Sequence, residues 1–379
     1  MNLYRLELKR VCKTRMTAIL LAIALVLAVV MAYLPVTFIG WTELDASGNE
    51  VRYTGLKAIR KRQEQQVSGT ITPDVMQEAL EAFADSKTGM APGVMGLTAE
   101  DMQNFYSQLP KRLESVIWLE QSGKPGYEQA QAIAQKKFDA VQKPFTYSFG
   151  VSSDAMDYQT LLSLLLTLLC AVIAAPVFAS DAQTGAQDIQ LCTKNGGLRL
   201  AAAKLAAAFS ITGAAYLLCG VVWILVTNAL FGWESTKTSV QWLFSVTSLL
   251  PYTVGQMEWI MLVTNFLIFF AEVAFVLMAS VWAKNNLTAL SVALISVVAP
   301  LIVYMVVPGS FGEWLSTLLP AGGIGLSNAL LYKMISFDFL YAGRHAFFQA
   351  DVLLASAPVK IVLLVGLAAW GYLRKTKVA

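Results

Sequence analysis

Histidine is almost missing from this sequence. His345 is the only one, which leaves little room for a histidine-based metal site or catalytic triad. Charge is scarce too, at 14% of residues against 56% hydrophobic, whereas a soluble domain is about 25% charged and about 45–50% apolar. That departure points to lipid as the solvent. Cysteine is limited to Cys12, Cys170, Cys192 and Cys219. None has the paired spacing of a zinc site, and none falls in the polar segment 40–157, where a secreted disulfide scaffold would put them. Burial as small apolar residues is the expectation. There is no H-E-x-x-H, no G-x-S-x-G and no pair of intramembrane aspartates. The phosphate-binding pattern G-x-x-x-x-G-K-[ST] does not occur; Gly123-Lys124 lacks the upstream glycine and the following hydroxyl residue. The chain is therefore not expected to be an enzyme, nor to hydrolyse ATP unaided. Its net charge of +3 says little, and no nucleic-acid partner is expected.

What is present are long uncharged runs. A helix needs about 20 apolar residues to cross the hydrocarbon core, and six runs are of that order: Met16–Ile39, Tyr158–Ser180, Leu205–Trp233, Trp259–Ala283, Asn285–Gly312 and Ala355–Leu373. The fourth is interrupted by Glu272. The last carries Lys360 near its outer end, where it can snorkel. The expected fold is all-α, with six membrane-spanning helices. Arg5, Lys9, Arg10, Lys13 and Arg15 precede the first run, which is too long for a signal peptide and lacks a clean cleavage site. Positive residues mark the cytoplasmic side. Both that cluster and Arg374, Lys375 and Lys377 at the other end then lie inside, as an even number of crossings requires. Two broken runs, Ser239–Met257 and Trp314–Tyr332, are read as outer re-entrant or interfacial elements, because proline and glycine interrupt them.

The chain divides into residues 1–39, with the first span; 40–157, a polar extracytoplasmic domain; and 158–379, with five spans, a cytoplasmic helix over 181–195 and an outer re-entrant segment over 313–332. Segment 40–157 is too long for a plain loop, and its punctuation predicts helices. Thr72-Pro73-Asp74 reads as a helix start, followed by Val75, Ala79, Leu80 and Phe83 at helical spacing. Thr98 with Asp101 forms a loose capping pattern before Phe105 and Leu109, and further helices are expected over Pro110 to Glu120 and from about Gly126 to Val141. Its mixed charges suit a solvated surface.

The most informative stretch joins the second and third runs. From Ser180 to Arg199 the chain turns polar, with Ala182, Ala186 and Ile189 on one helical face, and with Asp181 and Asp188 nearly superposed. Gly196-Gly197 is expected to end that helix. Arg199 and Lys204 are placed at the head of the third span, near lipid phosphates. In order, Asp181, Gly185, Ile189 with Leu191, Gly196 and Lys204 follow an acid, a glycine, an apolar stretch, a glycine and a lysine opening a span. That pattern resembles the permease subunits of bacterial ABC exporters of the second membrane-protein class. The broken segment around Pro320–Gly325 resembles their re-entrant helices, and an outer domain with Gly55-Leu56-Lys57-Ala58-Ile59 resembles a Gram-positive subset. Departures are Asp181 for the usual glutamate and Gly196-Gly197 for the usual Gly-Arg, with the arginine at Arg199.

The resemblance implies a multi-pass protein of the bacterial plasma membrane with two kinds of protein partner: a second permease chain, identical or paralogous, and a separate ABC ATPase subunit. No cofactor is expected in this chain; ATP and magnesium would sit on the ATPase. Asp181, Thr184, Gly185, Asp188, Ile189, Leu191, Gly196, Arg199 and Lys204 would form the coupling element, and cargo would be peptides, antimicrobials or lipid-like molecules. From the residues alone, Glu272 stands out as a carboxyl in mid-span, costly there unless it faces protein or water. It is expected either to line a path or to bond a neighbouring helix, with Asn228 and Asn265 as candidate partners. The competing class is a membrane sensor whose outer domain binds a ligand, although no inner output domain is visible.

Overall fold

The computed structural model describes residues 3–44, 47–65, 68–72, 74–75, 78, 123–244, 248 and 250–376. The helices expected between Ala79 and Glu120 fall outside them. Six described helices are long and apolar enough to cross a membrane: Arg15–Thr37, Ser153–Thr184, Leu198–Phe231, Val254–Trp282, Asn286–Val306 and Gln349–Lys375. The second is kinked. Ser153–Ala174 gives way at Pro176, which cannot donate to the preceding turn, to Pro176–Thr184. The other starts follow local chemistry. Ser152 Oγ accepts from Ala155 N, Thr253 and Gln256 form a reciprocal capping box, and Asn285 caps through Thr288 N.

The second and fourth spans are the most enclosed. Of the apolar window of the fourth, 67% is buried, against 17% in the last. The last span packs along the fourth, the first along the second and third. Small residues allow these approaches: a Cβ on Gly213 would meet the Phe270 ring at 2.7 Å. The outward faces of the first, fifth and last spans, with Ile19, Met305, Val362 and Leu363, are apolar and exposed.

Contacts define two ends of the bundle. At one, the helix Leu3–Cys12, the segment Pro176–Lys204, the turn at Trp282–Asn286 and the end of the last helix meet: Tyr4 bonds Ser210, and Trp370 lies against Trp282. Both terminal helices thus share this end, called here the terminal end. At the opposite end, Gln63 Nε2 donates to Phe231 O at 2.6 Å, Ser239 N to Thr146 O at 2.8 Å, and Ala346 N to Gln129 Oε1 at 3.2 Å.

The segment between the first two spans is not purely helical. A hairpin pairs Gly40–Leu44 with Glu50–Thr54, and Gly69–Thr70 pairs with Thr146–Tyr147. Helices Leu56–Gln65 and Tyr127–Asp139 accompany them. Thr72 Oγ1 accepts from Val75 N at 3.3 Å, as a helix start requires. Among the described residues, neither ambiguous run forms a crossing helix of its own, although the fourth span begins at Val254. Residues 239–253 hold a short 3-10 turn, Val240–Trp242, before the fourth span. Residues 309–335 form two short helices, Gly309–Leu318 and Leu330–Ile335, followed by the hairpin Phe339–Ala342 with His345–Phe348.

Lys360 does not snorkel outward. Its Nζ donates to Thr317 O at 2.9 Å and Leu319 O at 3.0 Å, at the C-terminus of Gly309–Leu318. A cation suits that end of the helix dipole, and Pro320 prevents the helix from continuing. At 1.5 Å per residue, Lys360 lies about 16 Å along the last helix from its start.

Candidate functional site

The terminal end is centred on Asp181, with a second buried carboxylate, Glu7, pairing with Arg10 Nε at 3.0 Å. Asp181 is buried in the continuation of the second span beyond Pro176. Its Oδ1 and Oδ2 accept from Arg10 Nη1 at 2.9 and 3.0 Å, and Lys204 Nζ makes a short ion pair with Oδ2. Arg10 also donates to Val177 O at 3.0 Å, and Lys204 to Gln190 Oε1 at 2.9 Å. The rings of Phe178 and Tyr372 lie 5.5 and 5.9 Å from Lys204 Nζ. Lys204 is only 1% exposed, so it is a buried partner of Asp181 rather than a residue at the lipid phosphates.

A second set of bonds mends the kink. Pro176 leaves backbone groups without helical partners. Ser280 of the fourth span supplies them: its hydroxyl donates to Ala175 O at 2.6 Å and accepts from Phe178 N and Ala179 N at 3.0 Å. Gln183 Oε1 accepts from Asn286 N at 3.0 Å. The segment after the kink is therefore tied to the N-terminal helix and to the third, fourth and fifth spans at once.

Its tip is short. A single helix over 181–195 is not present. Gly185, at φ +71°, breaks the path between Pro176–Thr184 and Ala186–Leu191, and a left-handed residue there ends one helix and turns the next. The helix stops before Gly196-Gly197, and a Cβ on Gly196 would collide with Gln190 O. Because of the break, Asp181 and Asp188 do not superpose: Asp181 points inward and Asp188 is exposed. Thr184, Gly185, Ile189 and Arg199 are exposed as well, Leu191 is half-buried, and Arg199 Nη1 donates to Asn195 Oδ1 at 3.3 Å. Ile189, at 74% exposed, and Leu198, at 54%, present apolar side chains at this tip. The nine predicted residues thus split into a buried clamp (Asp181, Lys204), a glycine that shapes the turn (Gly196) and an outward set. Sequence reading missed Arg10, Gln190 and Ser280, whose partners lie up to 171 positions away. Cysteine burial also divides: Cys170 and Cys219 are buried, but Cys12 and Cys192 are exposed.

The three predicted path residues do not meet. Glu272 is fully buried and accepts from Ser296 on the fifth span, not from Asn228 or Asn265. Asn265 Nδ2 donates to Ser163 Oγ at 3.3 Å, joining the second and fourth spans. Asn228 Nδ2 donates to Glu258 Oε2 at 2.7 Å near the opposite end. Glu258 was the residue missed. It stands one position before Trp259, where the apolar run begins, and the Thr253–Gln256 capping box puts it in the second turn of the span. Also at that end, Tyr332 donates to Asp157 Oδ1 at 2.7 Å, and burial together with that carboxylate pushes the Tyr332 phenol up to about 12.

Six apolar crossing-length helices with a packed helical core define a multi-pass α-helical membrane protein. Compared with known proteins, the chain matches no family model and no curated protein.

Proposed function

We propose that this chain is the permease subunit of an ATP-driven bacterial exporter, moving peptide, antimicrobial or lipid-like cargo, with ATP and magnesium held by a separate ATPase subunit. One observation carries the reading. At the terminal end a short tip offers exposed Ile189 and Leu198, while Asp181, Arg10, Lys204 and Ser280 fasten its base to the spans. An apolar exposed tip on a fastened base is what a lever needs: the tip docks, and the base transmits the push. Arg5, Lys9, Lys13, Arg15, Lys194, Arg199 and Lys284 cluster at this end, which on the positive-inside rule faces the cytoplasm, where ATP is. A second permease chain would cover part of the apolar faces of the first, fifth or last span. ATP binding would then bias the bundle between inward and outward arrangements.

The test uses the chain purified from its host membrane with whatever ATPase accompanies it. Ile189→Asp is expected to abolish association with the ATPase, and with it the stimulation of ATP turnover by cargo, while the protein stays monodisperse. Undiminished association and turnover would overturn the reading. Sidedness is read separately from exposed Cys192 in a Cys12→Ala background. A membrane-impermeant thiol reagent should label it in inverted vesicles and not in right-side-out ones.

A further inference from the structure

At the end opposite the termini, a cleft of about 940 Å³ opens between the third and fourth spans and the 232–253 connection. Drug-sized ligands occupy pockets of roughly 300–1,000 Å³. Its walls include Trp233, Tyr252 and Trp259, and Asn228 and Glu258 also line it. Glu258 is 1% exposed. One of its oxygens is held by Asn228 Nδ2 at 2.7 Å; the other, Oε1, has no hydrogen-bond partner among the described residues, and neither does Asn228 Oδ1. Both unpartnered atoms are acceptors. Leaving a buried polar atom unpaired costs about 1–3 kcal/mol, so this is an expensive arrangement for a purely structural contact. The cation at the rim is already matched: Lys237 Nζ pairs with Glu234 Oε2 at 2.7 Å, and both are exposed. The cleft therefore has an excess of acceptors and one uncompensated acid, next to three aromatic residues.

We propose that this cleft binds organic ammonium ions, primary or secondary amines with an aromatic or long apolar body. Both oxygens are buried beneath the cleft wall, so the Glu258 and Asn228 side chains would turn toward the ligand for its N–H groups to reach Oε1 and Oδ1, and the apolar body would lie against Trp233, Tyr252 and Trp259. The ammonium supplies the donors and the charge that the cleft lacks, and aromatic rings attract cations through their faces. A single water could satisfy one acceptor, but it would leave the aromatic walls and most of the volume unused. The inference stands apart from ATPase coupling, because it is read from binding to this chain alone.

The test titrates the full-length chain in lipid nanodiscs with 2-(1-naphthyl)ethylammonium and with the neutral alcohol of the same shape, against empty nanodiscs. The ammonium is expected to bind the wild type at least tenfold more tightly than the alcohol. Glu258→Gln should remove that preference and leave alcohol binding within twofold. Equal affinities for the two ligands in the wild type, or an unchanged preference in Glu258→Gln, would overturn the proposal. Should that variant fail to fold, Trp259→Leu decides: both ligands should weaken threefold or more, and unchanged binding of both would overturn the site.

Discussion

Asp181 and Glu258, buried carboxyls at opposite ends of the bundle, are treated in opposite ways. Asp181 has two cations, and one of them, Lys204, is further held by Gln190. Glu258 has a single amide and, among the described residues, an oxygen with no partner. Both cost desolvation. At the terminal end the cost is offset by partners within the chain, and the result is a fixed joint between the N-terminal helix, the kinked second span and the third span. At the opposite end it is not offset, and the result is a cleft with unused acceptors. Saturated polar groups hold a fold in one arrangement, whereas unsaturated ones in a cavity mark where something else can bind.

The contrast breaks most visibly at Lys204. Lys204→Met removes one of two cations from a buried carboxylate, and breaking a buried pair from one side costs about 3–5 kcal/mol. Arg10 remains, so the lower part of that range is expected, read as a fall in the unfolding midpoint in mixed micelles. Adding Asp181→Asn should recover part of the loss in a double-mutant cycle. Strictly additive losses would show that the two side chains do not act as a pair. A smaller effect is expected from Ser280→Ala. It strips one donor and one acceptor from the kink at Pro176, leaving Ala175 O, Phe178 N and Ala179 N to find other partners, at about 1–3 kcal/mol. Native-state hydrogen exchange should then quicken at Phe178 and Ala179 before the rest of the second span. Uniform exchange across the span would mean the kink is held by something other than Ser280.

The legible part of this molecule is the part that depends on local pattern. Apolar runs of crossing length give all six helices, within two residues at six of their twelve ends and within seven at the others, because composition within the run decides the matter. The hairpin Gly40–Leu44 with Glu50–Thr54 was readable in principle: Val51 and Tyr53 alternate with polar neighbours, and Gly48 at φ +82° sits in the turn. The helix punctuation further along drew the reading toward an all-helical segment instead. Around the candidate site, the sequence singles out Asp181 and Lys204 but does not show them as partners. A pair 23 residues apart across the break at Gly185 and a turn cannot be deduced from spacing. The expected helix over 181–195 runs through Gly185, whose positive φ divides the exposed from the buried half. Glu258 was overlooked because a hydropathy window starts at the first apolar residue, whereas a helix starts at its cap.

At the opposite end the expected stability change is smaller, and its sign is reversed. Glu258→Gln keeps an acceptor for Asn228 Nδ2 and removes a buried carboxyl that has no counter-ion among the described residues. Stability should therefore rise, by about 1 kcal/mol, as it often does when a strained functional group is replaced. A loss larger than that would mean that the Glu258 charge is satisfied within the protein, and the two ends would no longer differ in kind.

The smallest effect on the fold is expected at Ile189, and that is what gives the position its value. Its side chain is 74% exposed and takes no part in the Asp181 network. Substitutions at such surface positions usually stay within about 0.5 kcal/mol, so Ile189→Ser should leave the unfolding midpoint where it is. Lys204→Met and Ile189→Ser then separate the base of the lever from its tip. The first should lower stability and loosen the segment; the second should spare both and remove only what docks on the tip. If Ile189→Ser destabilises the chain as Lys204→Met does, the tip packs against the bundle in the membrane. The division of this end into a fixed base and a free tip would then fail.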